Sequence, residues 1–181
     1  MSVDSFFFVR DDKLPTISQW QAALDQAGVG IVLEDVGELR KHAGYLPATH
    51  RGHPSGFEWF YGPVAENFGG DAPDGLGGRA HVVNCVTHSD MRELMCGLTA
   101  CAVLSQLADG VFFDEESGGL ISADSALGLA RRLGSAEQEM RRRAAERDAV
   151  RTSRRCPQCG SPCPEHRRTC KACGFEIGRA L

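Results

Sequence analysis

The end of the chain cannot fold on hydrophobic burial alone. From Cys156 to Ile177 its only sizeable apolar side chains are Phe175 and Ile177. A segment of fewer than about thirty residues with so little to bury has no core to build. The same stretch carries Cys156-Pro-Gln-Cys159-Gly160 and, after a ten-residue loop ending at Thr169, Cys170-Lys-Ala-Cys173-Gly174. Two Cys-x-x-Cys pairs supply the four thiolates of a closed tetrahedral Zn²⁺ site. A structural zinc ion contributes about 10–16 kcal/mol in small finger peptides near neutral pH. That far exceeds what two half-buried side chains supply, so the tail is expected to be unfolded without one structural Zn²⁺.

These residues resemble the zinc-ribbon family, in the small form built from two rubredoxin-type knuckles. Cys156, Cys159 and Gly160 match the first knuckle, and Cys170, Cys173 and Gly174 the second. The resemblance covers Cys156 to about Ile177 and implies a metal-organised module with no reaction of its own. Cys163 and His166 also stand two residues apart and are the alternative ligands. Redox chemistry is the other alternative for a Cys-x-x-Cys pair, but it has no use for a duplicate ten residues away.

Charge divides the chain. Residues 1–134 hold nine Lys and Arg against eighteen Asp and Glu, a net −9; residues 135–181 hold eleven against six, a net +5. Such asymmetry marks modules with different partners, or one that docks on the other. Three segments are expected: an acidic domain over 1–134, a basic connector helix over 135–154 and the zinc ribbon over 155–181. No apolar run approaches the roughly 20 residues that span a bilayer. Phe6-Phe7-Phe8, flanked by Asp4 and Asp11, is too short and too acidic at its borders for a signal-peptide core. The expectation is a cytoplasmic protein with reduced thiols and no membrane partner.

The first domain reads as α+β. Strands are expected at 5–10, 30–34, 57–61, 79–87 and 111–113, with Leu120-Ile121 turning back on the last. Thr16 caps a helix carrying Ile17, Trp20 and Leu24 at helical spacing. Asp90 and Glu93 have capping-box spacing before Leu94, Leu98, Cys101 and Leu104. The order predicts a mainly antiparallel sheet with helices on one face, on the split βαβ plan of ferredoxin-like folds with an extra strand between the halves. Residues 46–56 are expected to be loop, and the glycine-rich 67–78 a mobile surface loop. Gly134 is expected to break the last helix before it restarts at Ser135.

Among other candidate sites, His81 and Cys85 share one face of a strand with His88 at its end, the arrangement of a Cys/His nucleophile pair. Buried cysteine is usually inert core volume, which is the favoured reading. His42, His50 and His53 cluster in sequence, and Asp114, Glu115 and Glu116 form an acidic turn; neither has a partner group at ligand spacing. Gly69 to Gly78 lacks the Gly-Lys-Ser/Thr ending of a phosphate loop. Arg143, Arg147, Arg151 and Arg155 recur every four residues and could track nucleic-acid phosphate. Interleaved Glu137, Glu139, Glu146 and Asp148 favour a salt-bridged helix instead.

The stretch from Leu14 to Leu24, with Gly56 to Trp59, resembles uncharacterised small bacterial proteins, a likeness that implies no activity. With no assembled catalytic group, the chain reads as a non-enzymatic binding protein. Its acidic domain would engage a protein partner, in the manner of an immunity protein or inhibitor against a basic toxin or effector.

Overall fold

The computed structural model describes the chain except residues 1, 89, 115–116, 154, 162, 164–166 and 178–181 and the side chains of 137 and 149–153. It divides into two compact units, Met1–Gly134 and Ser135–Leu181. Among the described residues no helix is long and apolar enough to cross a membrane.

The first unit is built on seven strands: β1 (Val3–Val9), β2 (Ile31–Leu33), β3 (Gly44–His50), β4 (His53–Pro63), β5 (His81–Thr87), β6 (Val111–Asp114) and β7 (Gly119–Ser122). Between them lie α1 (Ile17–Ala27), α2 (Val64–Phe68) and α3 (Met91–Leu107), and α4 (Ala123–Ser153) follows β7. The strands form one antiparallel sheet in the order β2-β3-β4-β5-β1-β6-β7. Because β1 pairs antiparallel with both β5 and β6, those two run the same way on either side of it. The unit β5-α3-β6 is thus a split βαβ with β1 in the gap. The unit β1-α1-β2 is split more widely, by three strands.

The two-residue side-chain period of a strand explains the core. Phe7 and Val9 point to one face with Leu46, Phe57, Trp59, Val83 and Cys85, beneath Trp20 and Leu24 of α1, Leu98 and Leu104 of α3, and Ala126 and Ala130 of α4. Both indoles are fully buried and both donate: Trp20 Nε1–H to the Ala100 carbonyl at 2.9 Å, Trp59 Nε1–H to the Leu39 carbonyl at 3.0 Å. Phe6 and Phe8 point to the other face, where Val64, Phe68, Ala72, Leu76 and Val82 cover them. Helix ends behave as their sequence dictates. Thr16 and Gln19 form a reciprocal capping box, and Ser122 Oγ accepts from the Ser125 N–H at 3.1 Å.

Four expectations need correction. Residues 46–56 are mostly strand: β3 and β4 are a hairpin with Arg51 and Gly52 at its tip, both at positive φ. The Pro, His and Gly content that suggested loop is tolerated because cross-strand pairing, not propensity, fixes these residues. The glycine-rich stretch 67–78 is anchored, since Ala72 and Leu76 pack on the phenylalanines of β1's second face. Gly134 does not interrupt α4, which runs unbroken from Ala123 to Ser153. There Met95 Cε lies 3.3 Å from where a Cβ would stand, so the missing side chain admits α3's methionine. Finally, Asp90 caps α3 by accepting from Arg92 N–H at 2.7 Å, but Glu93 turns away and accepts from His88 N–H at 3.2 Å.

Candidate metal centre

Two short turns in the second unit present four sulfurs to one point. The Sγ atoms of Cys156, Cys159, Cys170 and Cys173 all lie within 4.8 Å of one another. Cys156 and Cys173 are 3.6 Å apart, as are Cys159 and Cys170. A disulfide would place the sulfurs at about 2.05 Å. Four ligands at the 2.3 Å zinc–sulfur distance in a tetrahedron stand about 3.8 Å from each other. The observed spacing fits metal ligation and not a disulfide, so this quartet could hold a metal ion.

The two turns are built alike. Gly160 N–H donates to the Cys156 carbonyl at 2.8 Å and Cys156 N–H to the Ser161 carbonyl at 2.8 Å. Gly174 N–H donates to Cys170 at 2.9 Å and Cys170 N–H to Phe175 at 2.8 Å. Gly160 and Gly174 adopt φ of 71° and 73°, a left-handed conformation that penalises any residue with a Cβ. Cys156 and Cys170 are buried with Ile177 and Cys163, while Cys159 and Cys173 face outward. A bridge between Thr169 and Glu176 and the Ile177 N–H bond to Arg168 close the second turn. This is a zinc-ribbon-like arrangement.

Electrostatics favour a cation at the centre. The backbone N–H groups of Ala172 and Cys173 pull the Cys170 thiol down to about 6. The Ser161 hydroxyl and N–H lower Cys159. At Cys173 the Phe175 N–H also favours the thiolate, yet partial desolvation within the turn and the adjacent sulfurs of Cys159, Cys156 and Cys170 push it up to about 12. Four thiolates at this spacing repel one another, and a divalent ion removes that repulsion.

Cys163 is buried beside the quartet, and burial raises its thiol to about 11. It is not among the four mutually close sulfurs, the only metal-capable group among the described residues. His166, the other alternative ligand, lies outside the described residues.

Two of the four stripe arginines, Arg143 and Arg155, are engaged with their own neighbours. Arg143 Nε donates to Glu139 at 2.7 Å, and Arg142 bridges Glu139 and Glu146. Arg155 Nη1 donates to the Gly160 carbonyl at 3.1 Å, fastening the first turn. Arg147 is exposed, and the Arg151 side chain lies outside the described residues.

In the first unit, Cys85 is fully buried with Cys96 and Cys101. A Cβ on Gly97 of α3 would come within 2.6 Å of its Sγ, so the helix sits directly on this sulfur. Burial pushes the Cys96 thiol up to about 12 and Cys101 well above its ordinary value. His81 shares the face but stacks on Tyr61, ring centroids 5.2 Å apart, and His88 Nε2 pairs with Glu58 at 3.0 Å. The three residues do not form an open reactive group. His50 and His53 pair at the tip of the β3–β4 hairpin, away from His42, whose Nε2 contacts the Tyr45 carbonyl at 3.2 Å. Asp114 ends β6, while Glu115 and Glu116 lie outside the described residues.

A polar cluster that no local motif announced joins four separate segments. Tyr61 donates its hydroxyl to Asp11 Oδ1 at 2.6 Å, and Arg40 Nε donates to the same oxygen at 2.8 Å. Arg40 also reaches the Asp11 carbonyl. The Tyr61 hydroxyl and the Arg40 guanidinium lower the Asp11 carboxyl, while burial and Asp11 raise Tyr61. His81 lies over Tyr61 with its Nδ1 buried and without a partner.

No protein-family model, curated protein or solved structure matches this chain.

Proposed function

We propose that this chain is a zinc-containing binding protein. Cys156, Cys159, Cys170 and Cys173 hold one structural Zn²⁺ that folds the second unit, and the acidic domain engages a basic protein partner, as an immunity protein, inhibitor or adaptor does. The observation that carries the metal assignment is the mutual approach of the four sulfurs within 4.8 Å. Zinc is the preferred ion because an all-thiolate tetrahedral set suits it and leaves no open coordination position for substrate. Without such a position the ion supplies structure rather than Lewis-acid chemistry.

The binding assignment rests on charge and on the burial of Cys85, the nucleophile candidate of the first unit. A domain of net −9 accelerates encounter with a basic partner and repels acidic ones. Cys85 is sealed beneath α3, which argues against thiol catalysis. A cytoplasmic setting agrees with the free thiols this reading requires. Elemental analysis of purified protein tests the metal half directly. One zinc per chain, with the intense thiolate-to-cobalt absorption of a tetrahedral site after Co²⁺ exchange, is expected; protein folded throughout 155–177 without bound metal would overturn it.

Nucleic-acid binding through Arg143, Arg147, Arg151 and Arg155 is the weaker reading, since Arg143 and Arg155 already serve intramolecular contacts. If it holds, full-length protein gives a gel shift that falls steeply with salt and disappears on removing 135–181.

A further inference from the structure

The two faces of the sheet are covered very differently. Helices α1, α3 and the start of α4 pack on one face. On the other, α2 and the 67–78 stretch cover only the β1, β5 and β6 end, around Phe6, Phe8 and Val82. The β2–β3–β4 end of that face is open, and it exposes apolar side chains: Val32 at 55%, Tyr45 at 51% and Phe60 at 39%. Large exposed aromatic side chains grouped on one surface mark interaction sites far more often than lone ones do.

The register shows what else lies on this surface. Tyr45 pairs with Glu58, Glu58 with Val86, and Val86 with Asp4, so one cross-strand row reads aromatic, acid, apolar, acid. Phe60 follows Glu58 on the same face by one strand repeat, about 7 Å away. The two carboxylates are two strand spacings apart, about 10 Å. The seven strands contain no lysine or arginine at all. Among the described residues, Asn84 donates to Asp4 at 3.1 Å, and His88 Nε2 meets Glu58 at 3.0 Å. Capacity to accept further hydrogen bonds remains on both. Gly56 lets the Tyr45 ring lie across the strand, since a Cβ there would meet its hydroxyl oxygen at 2.4 Å. Glu34 and Glu93 are near enough to contribute, after burial, to raising the Tyr45 phenol, so the surroundings of the ring are anionic too.

We propose that the open half of this face, centred on Tyr45, Glu58 and Phe60, is where a basic protein partner docks, inserting an arginine that stacks on the exposed rings and pairs with Glu58. Flat aromatic surfaces beside carboxylates match both properties of a guanidinium, its planarity and its charge. A second cation of the partner meets Asp4. Val32 and Val86 supply the apolar contact that fixes orientation. This rests on the basic-partner reading above and gives it an address.

The test uses the full zinc-loaded chain, labelled with ¹⁵N, and two peptides identical except that one alternates arginine with leucine and the other glutamate with leucine. The arginine peptide is expected to shift the amide signals around Tyr45, Glu58, Phe60 and Val86 at low ionic strength, and high salt to reverse the shift. Tyr45→Ser is expected to weaken binding about threefold and Glu58→Gln by a similar factor. Both positions are at least partly exposed, and the unchanged remainder of each spectrum reports that the fold is intact. Shifts gathered on the helical layer instead would overturn this address while leaving the basic-partner reading in place. No shift anywhere with the arginine peptide would end that reading and the address with it. Equal binding of the glutamate peptide would remove the charge argument. Concentration-dependent shifts at the same residues without peptide would mean that a second copy of the chain covers the face, which also overturns the proposal.

Discussion

Cys170 illustrates how much one side chain decides in the second unit. Its sulfur receives two backbone N–H groups, its carbonyl closes the turn at Gly174, and it is buried with Cys156 and Ile177. Cys170→Ser is expected to abolish stoichiometric zinc and unfold the ribbon, because three remaining thiolates leave the metal's fourth site to water. Cys163→Ser is expected to keep one zinc per chain, since Cys163 stands outside the quartet; metal analysis of the two variants checks both. In the first unit the corresponding pressure point is Gly97. A methyl there collides with Cys85 Sγ at 2.6 Å, and the Thr87 and Phe57 side chains at 3.0 and 3.2 Å leave nowhere to move. Gly97→Ala is expected to cost about 1–3 kcal/mol, read as a lower denaturant midpoint at unchanged slope. The quartet was readable from sequence because two residues separate the cysteines within each turn, so local geometry brings each pair together. The contact between Gly97 and Cys85 was not, for it depends on how closely α3 descends onto β5.

At the scale of elements, the Asp11 cluster ties the short 3₁₀ turn Asp11–Lys13 to the end of β4 and to the turn bearing Arg40. Folding lowers the Asp11 pKa, so its stabilising share is present above the unfolded carboxylate value near 3.9 and fades as pH falls through the folded value. The wild-type melting temperature is therefore expected to fall more steeply on acidification below about pH 4 than that of Asp11→Asn. Thermal scans across an acid series measure the difference. Its half-exposed partners keep the effect modest. On α4, Glu139 holds both Arg142 and Arg143, and Glu139→Ala is expected to lower the helicity of α4 slightly, read by circular dichroism. The same variant releases Arg143 from Glu139 while Arg142 keeps its pair with Glu146, so a gain in salt-sensitive DNA retention would show that ion pairing had masked a phosphate grip. Strand periodicity in β1 and β5 and the Thr16 cap of α1 were legible as local patterns. The β3 strand was not: Gly44, Pro47 and the Arg51-Gly52 turn look like loop until β2 and β4 pair with it. Asp11, Arg40, Tyr61 and His81 come from four separate stretches, and nothing in their spacing foretold their meeting.

For the whole molecule, the proposed metal and the hydrophobic core are expected to be separate sources of order. The first unit has a buried aromatic core of its own, whereas the cluster buried among the described residues of the second is Ile177 with Cys156, Cys163 and Cys170. Chelation is expected to collapse the amide signals of 155–177 and leave those of the seven-stranded sheet in place. Loss of both sets together would show that the sheet also depends on zinc. The two outermost strands are short, β2 with three residues and β7 with four. Short borders offer few free amide and carbonyl groups from which a neighbouring chain could extend the ladder. A protein whose sheet displays bare aromatic rings is thus guarded against stacking edge to edge into fibrils.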